Sequence, residues 1–277
     1  MRLGDRKVNK FKRNERIAAI TQILVNAPNK VFTLTCFTEI FAASKSTISE
    51  DLVIVKDIFE KQKLGKIETI TGAAGGVKYI PIISLEKKSE IIENLKNELS
   101  KESRRIPGGF LYLADILYDP SFVQELGAIF AEEFYSKEVD YVVTVETKGI
   151  PLALKTAHML NVPLVVFRNT FKADDGPTLS IHYASGSDGR LKTMYAPKNA
   201  MKKGSNVLII DDFMRAGGTI QGMISLVDEL ESTVIGIGVL FEEVMETEKL
   251  VDDYFSLFTI DPRKETGHVT IQSHILK

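Results

Sequence analysis

One cysteine, Cys36, and no tryptophan occur in a chain of 277 residues. A lone thiol excludes an intrachain disulfide and cannot by itself build a zinc site. Its place inside a helical pattern predicts a small core residue. No apolar run approaches the roughly 18 residues that a membrane span requires. The basic N-terminus has no apolar core of the kind a secretion signal carries. These absences predict a cytoplasmic protein with no membrane partner. The histidines, His158, His182, His268 and His274, show no ligand spacing, so no metal site is assigned. An aromatic-rich platform for stacked bases is also missing, which argues against an RNA-binding regulator.

What the chain contains is ordinary overall and uneven in detail. Hydrophobic residues make up 44% and charged residues 26%, values of a globular protein. The length allows one large domain or two modest ones. The net charge of −2 conceals an asymmetry: residues 1–80 hold 14 basic and 8 acidic side chains, the remainder 21 and 29. A basic first third on an acidic body suggests that the N-terminal part meets a polyanion. The first 16 residues carry Arg2, Arg6, Lys7, Lys10, Lys12, Arg13 and Arg16. A solvated tail and a nucleic-acid contact both fit that run.

Apolar positions at helical spacing predict a helix from Arg13 to Asn26 (Ile17, Ala18, Ile20, Ile23, Leu24). Thr33 caps a second through about Ala42, with Leu34, Phe37, Ile40 and Phe41 inward. Ser46 caps a third, whose stripe is Ile48, Leu52, Val55, Ile58 and Phe59 and which Gly65 stops. Alternating runs Lys66–Ile70 and Val77–Ile80 around a glycine-rich tip predict a β-hairpin. Three helices and a hairpin describe a winged helix, with helix three in the major groove. Lys45, Ser46, Thr47, Ser49 and Lys56 would then face DNA. Gly75, in the hairpin tip, would lie by the backbone or minor groove. A structural or dimerising module is the competing use of the same elements. Helix three has no arginine for bidentate readout of guanine, which leaves groove shape and the arm to supply specificity.

A charged helix is expected over residues 85–100, and Pro107-Gly108-Gly109 closes the connecting segment. From about Pro120 the pattern alternates in βα fashion, with strands at Tyr141–Val145, Pro163–Phe167, Val207–Ile210, Val234–Phe241 and Tyr254–Ile260. That predicts about five strands, mostly parallel, with ligands at their C-terminal ends. The expected domains are residues 1–80, a linker with a helix at 81–109, and residues 110–277.

The densest signal is Val207-Leu208-Ile209-Ile210-Asp211-Asp212-Phe213-Met214-Arg215-Ala216-Gly217-Gly218-Thr219. A buried strand ends in two carboxylates, a glycine turn follows, and Thr219 opens a helix. The turn's N–H groups and the helix dipole favour a phosphate. The carboxylates suit ribose hydroxyls, directly or through Mg²⁺. Such a corner wants a phosphorylated sugar. Glu146-Thr147-Lys148-Gly149 forms a second strand-to-helix corner with a lysine in it. Residues 169–203 read as a long polar loop, of a length expected only for a functional segment. Arg168, Lys172, Tyr183, Arg190, Lys192, Tyr195 and Lys198 are its candidate contacts. Phe110 and Tyr112 could stack a base, although a core role fits them as well.

The Asp211–Thr219 run resembles the phosphoribosyl pyrophosphate (PRPP) loop of type I phosphoribosyltransferases. That resemblance implies that Asp211 and Asp212 hold the ribose hydroxyls, that Arg215 to Thr219 wrap the 5-phosphate, and that Thr147, Lys148 and Gly149 hold pyrophosphate. Where enzymes of the family carry a small residue and then a hydroxyl residue, this chain has Arg215 and Ala216. Arg215 could instead reach an additional phosphate. With Ile106-Pro107-Gly108-Gly109 and Ser46-Thr47-Ile48-Ser49-Glu50-Asp51, the whole chain resembles the purine operon repressors of Gram-positive bacteria. The fold implied is α/β: an N-terminal winged helix-turn-helix followed by a type I phosphoribosyltransferase-like domain with a mostly parallel sheet. The function implied is a non-enzymatic homodimeric repressor that binds an operator in duplex DNA. PRPP, with or without Mg²⁺, would release the DNA, and guanosine tetraphosphate would compete for the pocket. No other cofactor is required. The alternative is an active purine phosphoribosyltransferase with an accessory DNA-binding module.

Overall fold

A computed structural model describes residues 11–72, 75–106, 110–184, 190–261 and 268–271. The chain divides into two units, Met1–Ser84 and Leu85–Lys277. The segment 81–109, set apart in the sequence, is split between them.

In the first unit, α1 (Arg13–Asn26), α2 (Leu34–Phe41) and α3 (Lys45–Lys61) precede a hairpin of β1 (Lys66–Ile70) and β2 (Gly76–Ile80). The two strands pair antiparallel, and Phe32 bridges to Val77 beside them. Ile20, Leu24, Phe37, Phe41, Ile48, Val55, Phe59, Ile67 and Val77 form one core. Three sequence assignments change. The cap of α3 is Ser44, whose hydroxyl accepts from the Thr47 N–H at 3.2 Å, while Ser46 lies inside the first turn. Ile58, Ile40 and Ala18 face outward rather than into the core, and Cys36 is only half-buried. The α3 stripe is completed by an acid: Asp51 is fully buried.

The second unit opens with α4 (Leu85–Leu99), which buries Ile91, Ile92, Leu95 and Leu99. A short ribbon of β3 (Arg105–Ile106) and β4 (Phe110–Leu111) and a short helix, α5 (Ala114–Tyr118), lead to α6 (Pro120–Glu133). Buried Arg104 ties this region together, donating to Asp115 at 2.6 and 2.9 Å and to the Glu98 carbonyl at 2.8 Å. Then come β5 (Tyr141–Val145), α7 (Ile150–Leu160), β6 (Leu164–Phe167), β7 (Thr178–Ala184), β8 (Leu191–Pro197), β9 (Asn206–Met214), α8 (Gly218–Glu229), β10 (Thr233–Glu243), β11 (Phe255–Asp261) and β12 (His268–Ile271).

The main sheet has the order β12-β11-β10-β9-β5-β6. Five strands run parallel, as expected, and β12 adds an antiparallel edge. Central β9 is apolar on both faces because helices cover the sheet, so Val207 to Ile210 are all fully buried. The segment read as a long loop, 169–203, contains the antiparallel ribbon β7–β8, in register from Thr178↔Pro197 to Ala184↔Leu191. Tyr183, Met194 and Ala196 of that ribbon enter the core of the second unit. Among the described residues no helix is long and apolar enough to cross a membrane.

Candidate functional site

Parallel strands β5, β6 and β9 all end on one side of the sheet, and their C-terminal ends converge on a cavity of about 710 Å³. From β5 come Val145, Glu146, Thr147 and Lys148; from β9 come Asp211, Asp212 and Phe213; Thr219 of α8 closes the side. Asn169 after β6, and Tyr183, Lys192 and Thr193 of the β7–β8 ribbon, complete the wall. The two corners singled out in the sequence therefore face one space.

Gly149 joins them. A Cβ at that position would lie 2.7 Å from Asp211 Oδ1 and 2.7 Å from Thr144 Oγ1, closer than atoms pack. Only glycine lets the β5 corner approach the acidic pair. The Glu146–Thr147 peptide is cis. Thr144 Oγ1 is buried without a hydrogen-bond partner.

Asp211 is 5% exposed and accepts the Asp212 N–H at 2.9 Å. Burial, and then the neighbouring Asp212 charge, push its carboxyl well above the usual carboxylate range. Burial also raises Asp212, opposed by a hydrogen bond from Asp211 and by the Lys148 charge. Two acids this close and this dry do not both ionise readily. A ligand bringing hydroxyl donors or a cation would relieve that repulsion. Among the described residues no group of three or more His, Cys, Asp or Glu could hold a metal. A divalent ion would fit the pair only if ligand phosphates completed its shell.

Of the predicted loop after the acidic pair, Phe213 and Thr219 line the cavity, whereas Met214, Arg215, Ala216, Gly217 and Gly218 do not. Arg215 turns to Glu243, with its Nε 3.0 Å from Oε1, and does not line the cavity. Met214 is buried and Ala216 half-buried. Gly217 has φ +86°, the left-handed region that favours glycine, and α8 starts at Gly218. No described side chain caps α8, so its first-turn N–H groups remain for an anion.

Of the loop candidates, Tyr183 and Lys192 reach the cavity. Arg168 pairs with Asp175 at 2.8 Å, and its backbone bridges to Tyr195. Lys172, Arg190, Tyr195 and Lys198 are not part of the lining. Glu146, which opens the β5 corner, also lines the cavity, as do Asn169 and Thr193, which were not candidates by sequence. Asn169 donates its N–H to Glu146 Oε1 at 2.7 Å and its side-chain amide to the Glu146 carbonyl at 3.1 Å. Its place just past a parallel strand was the available signal. Tyr112 is exposed, and the side chain of Phe110 lies outside the described residues.

In the first unit Lys12, Arg13, Lys45, Ser46, Ser49 and Lys56 are exposed, and Thr47 and Gly75 are half-buried. Lys7 and Lys10 lie outside the described residues. Arg16, read as a DNA contact, has another partner: its Nε donates to Asp51 Oδ2 at 2.7 Å, with the guanidinium nearly buried. The same side chain donates to the Phe11 carbonyl at 2.9 Å, and the Phe11 ring meets Phe41 edge-on at 5.3 Å. Arg16 thus fixes the root of the basic arm against α3. Breaking a buried pair strands a charge, so Asp51→Ala should cost about 3 kcal/mol. Calorimetric unfolding of the whole chain measures it; a loss under about 1 kcal/mol would contradict a buried pair.

Comparison with known proteins agrees with both units. Residues 12–81 match the family described as bacterial purine repressor, N-terminal, and residues 114–272 match the phosphoribosyl transferase domain. The purine biosynthesis transcriptional repressor PurR of Bacillus subtilis is 49% identical over 251 residues, covering 91% of this chain and 88% of that protein. The purine biosynthesis transcriptional activator PurR of Lactococcus lactis subsp. lactis is 43% identical, covering 91% of this chain and 93% of that one. A crystal structure of adenine phosphoribosyltransferase from Thermoanaerobacter pseudethanolicus superposes with a TM-score of 0.51 at 23% identity, covering 61% of this chain and 99% of that one, which shows a shared fold. Both full-length relatives are named as transcriptional regulators and neither as a transferase. The chain belongs to the bacterial purine repressors, regulators of purine biosynthesis that join an N-terminal repressor domain to a phosphoribosyltransferase domain.

Proposed function

We propose that the cavity at the ends of β5, β6 and β9 is an effector site for PRPP, and that PRPP binding weakens the hold of the first unit on operator DNA. The observation that carries this is the meeting of Thr147-Lys148-Gly149 with Asp211-Asp212 across Gly149, where no larger residue fits. PRPP would offer its pyrophosphate to the Lys148 corner, its ribose diol to the acidic pair and its 5-phosphate to the Gly217–Thr219 turn. A Mg²⁺ held by the pyrophosphate would meet the carboxylates. Guanosine tetraphosphate, with pyrophosphate on a ribose, competes in the same space, and Arg215 reaches its additional phosphate only by leaving Glu243. Calorimetric titration with PRPP tests the site, and absence of binding refutes it.

The first unit is a winged helix that presents α3 to the major groove. Lys12, Arg13 and Lys45, with Lys7 and Lys10, supply the attraction, and Ser46, Thr47 and Ser49 face base edges or phosphates. Lys56 lies further along α3 and Gly75 at the wing. A homodimer presents two such helices to paired half-sites in the cytoplasm, and the outcome is repression. Neutralising Lys12, Arg13 or Lys45, where it contacts a phosphate, should flatten the log K against log salt slope by about 0.9 on operator and random DNA alike. Changes at Ser46 or Thr47 should alter the ratio between the two DNAs. An unchanged salt slope in all three charge variants would move DNA binding elsewhere.

The altered turn favours binding over catalysis. Arg215→Ala combined with Ala216→Thr, which restores an enzyme-like turn, should release no pyrophosphate from PRPP with adenine, guanine, hypoxanthine or xanthine. Catalysis also needs a positioned acceptor base and closure over it. Measurable turnover would show that the rest of an enzyme site is present.

A further inference from the structure

A half-buried polar network centred on buried Glu242, belonging to neither corner, stands behind the phosphate turn. Glu242 and Glu243 end β10, where Glu242 lies beside Met214 of β9 and Thr259 of β11. The following residues, 244–254, run back along the turn. Leu250 donates its N–H to the Ala216 carbonyl at 2.9 Å. A Cβ on Gly217 would stand 3.3 Å from Val251 Cγ2 and 3.4 Å from the Leu250 nitrogen. The segment thus meets Ala216 and Gly217, and Glu243 at the end of β10 pairs with Arg215 just before them.

Glu242 holds the segment in place. The Lys249 ammonium pairs with its carboxylate and also donates to the Tyr254 hydroxyl at 2.9 Å. Tyr254 donates to Glu242 Oε2 at 2.6 Å, and Thr259 donates to Oε1 at 3.0 Å. Glu242 is 8% exposed, so its charge persists only with these partners. Burial alone would push Glu242 up and Lys249 down; their hydrogen bond reverses both, leaving Glu242 below and Lys249 above the ordinary values. None of Glu242, Lys249 and Tyr254 lines the effector cavity.

We propose that the Glu242–Lys249–Tyr254 network is a positioning device for the phosphate turn, setting the geometry in which Ala216 to Thr219 receive a 5-phosphate without touching the ligand. This rests on the reading of that turn as the 5-phosphate site. Because the network backs one corner only, it acts on one part of the ligand. Lys249 is therefore a positioning residue for PRPP and not for pyrophosphate, which the Thr147–Gly149 corner holds by itself.

The test is calorimetric titration of the full chain with PRPP and, separately, with inorganic pyrophosphate. Lys249→Met keeps most of the stem volume and removes the charge. It should weaken PRPP about ten-fold, the size of effect expected from residues that act through a packed network. Pyrophosphate affinity should stay at the wild-type value in this variant, and Lys249→Arg should restore PRPP binding. If Lys249→Met does not fold, Tyr254→Phe removes one hydroxyl and should weaken PRPP about three-fold, again sparing pyrophosphate. Wild-type PRPP affinity in these variants overturns the proposal, as does equal weakening of both ligands. Wild-type protein that binds pyrophosphate but not PRPP overturns the 5-phosphate reading itself, a different outcome from either.

Discussion

Gly149→Ala is expected to abolish the response to PRPP while leaving DNA binding without PRPP unchanged. The new methyl would sit 2.7 Å from both Asp211 Oδ1 and Thr144 Oγ1, and 3.3 Å from the Asp211 Cα. Thr144 is fully buried and cannot retreat, and the space open to Asp211 is the cavity that the ligand must fill. Relief comes from moving the β5 corner or the acidic pair, and either movement separates the groups that must meet one ligand. Misplacement of about 1 Å costs roughly 100-fold where geometry is shared among several contacts. Overpacking should also cost about 1–3 kcal/mol of stability. Calorimetric titration with PRPP reads the first effect and thermal unfolding the second. A variant that binds PRPP within three-fold of wild type would show that the two corners do not act as one site.

The second large effect joins stability to function at one atom pair. Asp211→Asn should make the ligand-free protein more stable and at the same time lose most of its PRPP affinity. Burial, and then the Asp212 charge, hold the Asp211 carboxyl well above its ordinary value. A group whose folded value is raised lends stability that is complete below the unfolded value and is lost as pH rises through the folded one. Wild-type stability should therefore decline from about pH 4 upward through this group, and the asparagine variant should lack that decline. At neutral pH the gain should be about 1 kcal/mol, a rise in Tm of roughly 2–4 °C. The asparagine oxygen still accepts the Asp212 N–H, so the strand end is kept. What is lost is a charged acceptor for a ribose hydroxyl, about 1.5–3 kcal/mol or roughly 10–150-fold in affinity. A variant that is less stable than wild type at pH 7 would contradict a strained acidic pair.

These effects concentrate where local pattern and tertiary placement meet, and the sequence was legible up to that point. Arg13–Asn26 and Tyr141–Val145 were readable residue for residue, because each presents one unbroken period, 3.6 in the helix and a continuous apolar run in the strand. The acidic pair and its glycine turn were readable because strand, carboxylates and helix start are contiguous. The β7–β8 ribbon was not. Leu179-Ser180-Ile181-His182-Tyr183 alternates as a strand does, but it sits in a long, polar, glycine-containing stretch that reads as a loop until its two halves are paired. The burial of Asp51 was not legible in α3 because its partner Arg16 lies 35 residues away. Ser44 and Ser46 are both sound caps, and the choice was made by backbone: Ser44 has ψ 157°, extended, while Ser46 is helical. Glu146 was legible as the first residue of the β5 corner, while Asn169, just past β6, gained its contact with Glu146 from the pairing of β5 with β6.

Linkage between PRPP binding in one unit and DNA binding in the other is reached by a single measurement. Fluorescence anisotropy of the full-length protein on a labelled purine-biosynthesis promoter would be followed with and without saturating PRPP. The coupling expected of an allosteric effector is about 1–3 kcal/mol, so PRPP should weaken DNA binding by roughly 5- to 150-fold. Gly149→Ala should bind the same DNA and ignore PRPP. Equal DNA affinity with and without PRPP, in protein that calorimetry shows to be loaded with it, would contradict the account.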